Sequence, residues 1–287
     1  MRIPKISYVN GRYVPYTQAS IGIEDRGNVF SDGAYEGIAL INGKLLDLNE
    51  HFERLQYSLN ILSIKSPMKF PVMKIIINEL ARRNKVTDGF VYLQISRGNA
   101  MRNHQFPNPA PNASLIITIH DPRKPSAKLL ENGINVVTHP DLRMKRRDAK
   151  TISLLPNIQA KQYAIENEAT ESWLFEENGK ITEGSASNAF IIDDIDTIIT
   201  HPENQSILGG ITRMKILQLA RKNSINVREE AFSTEDIKSA KEAFASSTTM
   251  RIMPVTKIDG EPVNDGKVGK ITKQLIALYD NYIREQT

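Results

Sequence analysis

The sequence predicts an α+β chain in two domains, and three observations predict it. Xaa-Gly pairs mark antiparallel hairpins, helical periodicities lie between them, and strands and helices do not alternate in a regular βαβ rhythm. The 287 residues suit two ordinary domains or one large one.

The hairpins come first. Asn10-Gly11 separates 6–9 from 12–14, Asn42-Gly43 separates 38–41 from 44–46, and Asn178-Gly179 and Asp259-Gly260 repeat the pattern. Both tip residues of a type I′ turn need φ > 0, which Asn-Gly tolerates best. Leu48, Phe52, Leu55, Leu59 and Leu62 recur at helical spacing and predict a helix over 48–63. Val72, Ile75, Ile76 and Leu80 predict another over 71–84, and strands are expected at 90–96 and 114–120. A polar stretch with two prolines, 121–126, is the linker candidate. It divides a smaller N-terminal α/β domain (1–120) from a larger C-terminal domain (129–287), with 121–128 as linker. Beyond it, strands are expected at 134–138, 171–175, 188–192 and 197–200, and helices at 159–167, 211–222 and 267–284.

Composition narrows the function classes. With 40% hydrophobic and 24% charged residues, the chain is typical of a soluble globular protein. It has no apolar run long enough for a bilayer, and residues 1–10 hold no apolar h-region. Cysteine is absent, which excludes disulfides and thiolate metal sites. A cytoplasmic protein is expected. His51, His104, His120, His139 and His201 are scattered, so no metal is expected. No Gly-x-Ser-x-Gly elbow occurs. The net charge is +4, and only Lys145-Arg146-Arg147, with Arg143 just before, forms a dense basic run. A basic nucleic-acid-binding protein is therefore one alternative. A solvated surface is the favoured reading, because no aromatics interleave the run.

Several residues are candidates for chemistry. Lys150 precedes an apolar stretch, and burial makes an amine a better nucleophile, although such a lysine is more often a snorkelling surface residue. Glu183 lies in a small, polar segment that otherwise reads as a plain Gly/Ser loop. Gly209-Gly210-Ile211-Thr212-Arg213 opens a helix, whose free N–H groups suit a phosphate. The cluster 246–249 offers hydroxyl donors, or is a surface turn. Arg102 and His104 follow the strand at 90–96, where an arginine fork suits a carboxylate.

In order, these pieces resemble the fold-type IV pyridoxal-phosphate enzymes, which include D-amino acid aminotransferases, branched-chain aminotransferases and aminodeoxychorismate lyases. The resemblance runs through Glu24-Asp25-Arg26-Gly27, Asp32-Gly33 with Tyr35-Glu36, Asn49-Glu50-His51 with Arg54-Leu55, and Arg102-Asn103-His104-Gln105-Phe106-Pro107. It continues through Asp148 with Lys150, Thr182-Glu183-Gly184-Ser185, Gly210-Ile211-Thr212-Arg213, Ser247-Thr248-Thr249 and 265–269. It implies a two-domain enzyme with its active site at the domain interface. Lys150 would be the Schiff-base lysine and proton shuttle on pyridoxal 5′-phosphate. Glu183 would face the ring nitrogen, and Arg54, Ser185, Ser187, Ile211, Thr212, Ser247 and Thr248 would complete the cofactor site. Tyr35, Arg102 and His104 would trap the substrate carboxylate, with Arg102 and His104 donated across a homodimer. The Arg-x-His pair points to D-amino acids with a 2-oxo acid acceptor. L-branched-chain transamination and the lyase reaction are the alternatives. Three departures stand out. Ser31 replaces a glycine, Gly37 in place of a β-branched residue would widen the side-chain pocket, and Arg251 would approach the substrate.

Overall fold

The computed structural model describes residues 4–122 and 125–287. Two compact units divide the chain. One takes Met1–Arg123, Ala149–Ser153 and Gln286–Thr287; the other takes Lys124–Asp148 and Leu154–Glu285. Positions 123 and 124 of the expected linker 121–128 lie outside the described residues. The segment Ala149–Ser153, expected within 129–287, packs with the first unit instead.

The first unit is an antiparallel sheet under helices. Its strands are β1 (Ile6–Val9), β2 (Arg12–Pro15), β3 (Gly33–Ile41), β4 (Lys44–Leu45), β5 (Gly89–Ser96) and β6 (Ser114–His120), in the order β2-β1-β6-β5-β3-β4. Its helices are α1 (Arg26–Phe30), α2 (Leu48–Ile61) and α3 (Phe70–Asn84). Asn10, Gly11, Asn42 and Gly43 have φ of 44°, 91°, 50° and 76°, the left-handed pairs that a type I′ turn requires. Leu55 and Leu59 of α2 and Ile77 and Leu80 of α3 are fully buried with Ile38, Leu93 and Ile117 of the sheet. Burying each such side chain contributes about 1.5–3 kcal/mol. Ser31 ends α1 in the left-handed region, at φ 55°.

The second unit contains α4 (Ala127–Asn132), β7 (Ile134–Pro140), α5 (Leu155–Glu166), β8 (Glu171–Phe175), β9 (Ile181–Gly184), β10 (Asn188–Ile192) and β11 (Ile198–Thr200). It continues with α6 (Ile211–Lys222), β12 (Val227–Glu229), α7 (Thr234–Lys238), β13 (Glu242–Ser247), β14 (Arg251–Ile258), β15 (Glu261–Pro262) and α8 (Lys270–Gln286). The strands form one nine-stranded sheet in the order β12-β11-β10-β13-β14-β7-β8-β9, with β15 added to β14. The sheet is mixed: β11 with β12, β14 with β7, and β7 with β8 are parallel. Trp173, Phe232, Ile134 and Met253 lie in its core.

Three local expectations needed correction. Helix α5 starts at Leu155 rather than 159, because Pro156 stands in the first turn, where a missing N–H loses nothing. Helix α8 starts at Lys270 rather than 267, where Glu242 accepts from the N–H groups of Ile271 (2.9 Å) and Thr272 (2.8 Å). Gly269 leaves room for that carboxylate, since a Cβ there would meet Glu242 at 2.0 Å. At Asn178-Gly179 only the glycine has positive φ, because the Asn178 side chain accepts from Lys180 N–H and fixes a different turn.

Candidate active site

The environment of Lys150 is built by β3 and α2. Residues 149–153 run along β3: Tyr35 N–H donates to the Lys150 carbonyl (3.0 Å) and Ile152 N–H to that of Gly33 (3.1 Å). Alignment with β3 places the Lys150 amine against the Tyr35 hydroxyl, at 3.1 Å, and over the Tyr35 ring. Lys150 N–H also donates to Ser58 Oγ (2.9 Å), which itself donates to the Arg54 carbonyl (3.0 Å). One turn of α2 therefore mounts both Lys150 and Arg54. The Arg54 guanidinium forks onto Glu36 through Nε and Nη2, both at 2.8 Å, and His51 Nδ1 lies 2.7 Å from the same carboxylate. Glu36 is completely buried. Burial alone would raise its pKa, yet Arg54 and His51 hold it well below the ordinary carboxylate value.

Beside Tyr35, Tyr92 donates to Gln94 Oε1 (2.7 Å). Burial, with the Tyr35 hydroxyl adding to it, pushes the Tyr92 phenol up to about 12.

Arg102 and His104 sit on the exposed loop after β5 and flank the Phe30 ring, with centroid distances of 5.2 Å and 5.5 Å. Among the described residues neither side chain makes a hydrogen bond. The loop itself is pinned: Arg26 Nη1 donates to the Asn103 carbonyl (2.6 Å) and Arg26 Nε to Asp32 (2.8 Å). Arg97 forks onto the same Asp32 at 2.7 Å and 2.9 Å. Asp25 caps α1 by accepting from Gly27 N–H (2.9 Å). Arg26 and Asp32, with Arg97, thus hold the loop that presents Arg102 and His104. Tyr35, expected to complete the carboxylate trap, meets Lys150.

In the second unit the centre is Glu183, on β9 and almost fully buried. It accepts from Arg143 Nη1 (2.5 Å), Asn188 Nδ2 (2.9 Å) and Leu208 N–H (3.1 Å). Burial raises its pKa, and Arg143 is the largest opposing influence. Asn188 ties Glu183 to the start of α6. A Cβ on Gly210 would lie 2.0 Å from Asn188 Oδ1, so only glycine lets the helix begin there. Gly210 supplies no capping side chain, leaving the first-turn N–H groups of Ile211 and Thr212 for an outside acceptor. The β10–β13 register sets Ser246 opposite Asn188. Ser246 Oγ is buried without a hydrogen-bond partner, and among the described residues the Thr248 hydroxyl makes none. Ser247 Oγ lies 3.2 Å from Thr249 Oγ1 and accepts from Met250 N–H. Such a donor set fits a phosphate, and Asn188, opposite Ser246, also holds the Glu183 carboxylate.

Other expected site residues are engaged elsewhere. The Ser185 and Ser187 hydroxyls donate to Glu171, a buried carboxylate that sequence reasoning missed. They shape the loop. Gly37 does not widen a pocket: the Phe90 ring fills the space, 2.5 Å from where a Cβ would stand. Arg251, at φ 57°, pairs with Asp280 of α8 at 3.0 Å. The arginines in and just before the basic run pair with carboxylates of the chain, which weakens the basis of the nucleic-acid alternative. Arg143 pairs with Asp141 and Glu183, Arg147 with Asp141 and Glu176, and Arg146 with Asp148. Among the described residues no acidic, histidine or cysteine cluster suits a metal, and no helix is long and apolar enough to cross a membrane.

Residues 33–258 match the family model described as amino-transferase class IV. The chain belongs to the class IV aminotransferases. This aminotransferase is 41% identical over 285 residues to a D-alanine aminotransferase of Staphylococcus aureus, covering 98% of each chain. It is 37% identical over 278 residues to that of Bacillus licheniformis, covering 97% of each. Its fold matches the branched-chain amino acid aminotransferase of Escherichia coli with a TM-score of 0.91 at 24% identity, over 99% of this chain and 96% of that one. It matches that of the archaeon Thermoproteus uzoniensis, solved with norvaline, at 0.86 and 24% identity, over 99% and 96%. A further branched-chain enzyme, solved with pyridoxamine 5′-phosphate, matches at 0.90 and 22% identity, over 100% and 96%. At that identity these matches speak for the fold alone.

Proposed function

We propose that this aminotransferase acts on small D-amino acids, D-alanine and D-glutamate first, with a 2-oxo acid acceptor and pyridoxal 5′-phosphate as cofactor. The observation that carries the reading is the Lys150 amine held at the Tyr35 hydroxyl, on a backbone pinned to the turn that mounts Arg54. The full-length likeness to D-alanine aminotransferases supports the choice of D-amino acids.

Pyridoxal phosphate, when bound, supplies the electron sink that acidifies the substrate Cα–H. Lys150 Nζ would be the group that takes up and returns the substrate's Cα proton. Glu183 would hold a proton at the ring nitrogen. Arg54, and in the second unit the N–H groups of Ile211 and Thr212 with the hydroxyls of Ser247 and Thr248, would be the groups that hold the phosphate. Tyr35 orients the lysine amine and the substrate carboxylate. Arg102 and His104, exposed on their loop, complete that carboxylate site across a cytoplasmic homodimer.

Half-reactions with D-alanine, D-glutamate and L-leucine, followed by the change in cofactor absorbance, test the substrate class. Turnover of both D-amino acids but not L-leucine is expected. The reverse preference overturns the D-assignment, and pyruvate release from aminodeoxychorismate without an amino acceptor overturns transamination. Lys150→Ala is expected to give a colourless protein with activity reduced about 10⁴-fold, at the upper end of what general-base catalysis contributes. Normal turnover by that variant sinks the lysine assignment.

A further inference from the structure

The basic run in the sequence looks like solvated surface, but the arginine just before it, Arg143, is buried, with a side chain only 10% exposed. The Arg143 Nε and Nη2 fork onto the two oxygens of Asp141 at 2.9 Å and 2.7 Å, and its backbone N–H donates to Asp141 Oδ1 at 3.1 Å. The remaining arm, Nη1, reaches Glu183 Oε1 at 2.5 Å. The Asp141 carboxylate is fully buried and is itself held by Thr182 Oγ1 (2.7 Å), the neighbour of Glu183 on β9. The guanidinium therefore cannot turn away from Glu183 without breaking a planar two-bond fork.

We propose that Arg143 is a positioning residue for the ring-nitrogen partner: it fixes the Glu183 carboxylate in place and supplies the positive charge beside it, while Asp141 fixes Arg143. This rests on the reading of Glu183 as that partner. Among the described residues the groups that act on Glu183 most strongly are Arg143, Asp141, the Leu208 N–H and the Asn188 amide, and Arg143 is the cation of that set. Burial favours the neutral acid, and Asp141 adds to that tendency. With Arg143 removed, the largest opposing influence is gone, and Glu183 is expected to take up a proton. A neutral acid no longer stabilises a protonated ring nitrogen, so the Cα–H becomes less acidic. Lysine at this position keeps the charge but loses the fork.

The test combines Arg143→Gln and Arg143→Lys with Glu183→Gln. The Glu183 ¹³C-carboxyl shift is read with and without cofactor, and the ¹⁵N shift of the cofactor's ring nitrogen is read in the loaded enzyme. Arg143→Gln is expected to move the Glu183 signal to the neutral-acid range and the ring nitrogen towards its unprotonated position. Its kcat should fall roughly 10- to 100-fold, the range for losing a partner that orients a reactive ligand. Its KM for the amino acid should stay within about threefold, since ground-state binding is untouched. Arg143→Lys should restore the carboxylate signal and most of kcat. A lowered melting temperature with both signals unmoved makes Arg143 a mere strut and overturns the proposal. Should Arg143→Gln not fold, the wild-type enzyme decides: an ionised Glu183 at pH 7 is expected, and a neutral acid there overturns the proposal. If Glu183→Gln leaves the ring-nitrogen shift in place, the ring-nitrogen reading itself is wrong. The cofactor-free Glu183 signal still reports separately on Arg143.

Discussion

Each unit buries a glutamate beside an arginine, and the two pairs are set in opposite directions. In the first, one carboxylate serves two basic partners: Arg54 forks onto Glu36 and His51 takes an oxygen. In the second, one guanidinium serves two carboxylates, Asp141 and Glu183. Burial pushes both glutamates towards the neutral acid. Glu36 nevertheless stays well below the ordinary value, while Glu183 lies above it. The local ratio of charges, more than depth, sets the proton affinity of a buried carboxylate. The consequence is a division of labour. Glu36 stays ionised and fixes the direction of Arg54, whereas Glu183 sits where a proton can be shared.

Replacing Glu36 should have the largest effect. Glu36→Gln leaves Arg54 and His51 without their anion and should lose about 3–5 kcal/mol at pH 7, as breaking a buried pair does. The sign is fixed by the lowered pKa. The contribution is complete above the unfolded-state value of 4.5 and is lost as pH falls through the folded-state value. Urea unfolding at pH 7 and pH 4 should therefore show the gap between wild type and variant closing on acidification. A gap that widens instead would break the comparison.

Asp141→Asn should be milder, about 1–3 kcal/mol for one lost partner. Glu183 carries the opposite sign: with its pKa raised, its contribution is complete below 4.5 and declines as pH rises through the folded-state value. Removing Asp141 leaves Arg143 to Glu183 alone, so the decline should move to lower pH. A series of unfolding free energies from pH 4 to pH 8 reads the shift, and movement to higher pH contradicts the shared-charge account.

The smallest change concerns Glu171. Among the described residues no cation pairs with it, and the hydroxyls of Ser185 and Ser187 and the N–H of Ser172 satisfy it. Ser187→Ala should lower stability by about 1 kcal/mol, the worth of one hydrogen bond. Thermal melts giving a larger loss than Asp141→Asn would mean that neutral donors matter more here than charge.

Much of this architecture was legible in the sequence. The stripe Leu48, Phe52, Leu55, Leu59 predicted α2 to within its last turn, and the Asn10-Gly11 and Asn42-Gly43 hairpins formed as expected. Apolar periodicity reports burial, and burial is what shapes those elements. The ordered motifs likewise identified Lys150 and Glu183 as candidates. The partners were not legible, because they are paired through space. Glu36 lies 18 positions from Arg54, and Arg143 lies 40 from Glu183. Arg143 was further disguised by Lys145, Arg146 and Arg147, whose clustering imitates a surface patch. The partner of Ser185 and Ser187 was hidden for a related reason: Glu171, which takes their hydroxyls, stands on a separate strand.

Gly210 has a consequence for how this sequence can change over time. Its missing side chain is the space that Asn188 Oδ1 occupies, and the same Asn188 amide holds Glu183. A side chain at 210 therefore disturbs a carboxylate that it never touches. Positions 188 and 210 are locked as a pair: Gly210→Ala should be tolerated better once Asn188 has been shortened to Ser than in the parent. A double-mutant cycle on stability would register this as non-additivity, and additive effects would dissolve the lock. Drift at the mouth of α6 is thus confined to steps that position 188 has already taken.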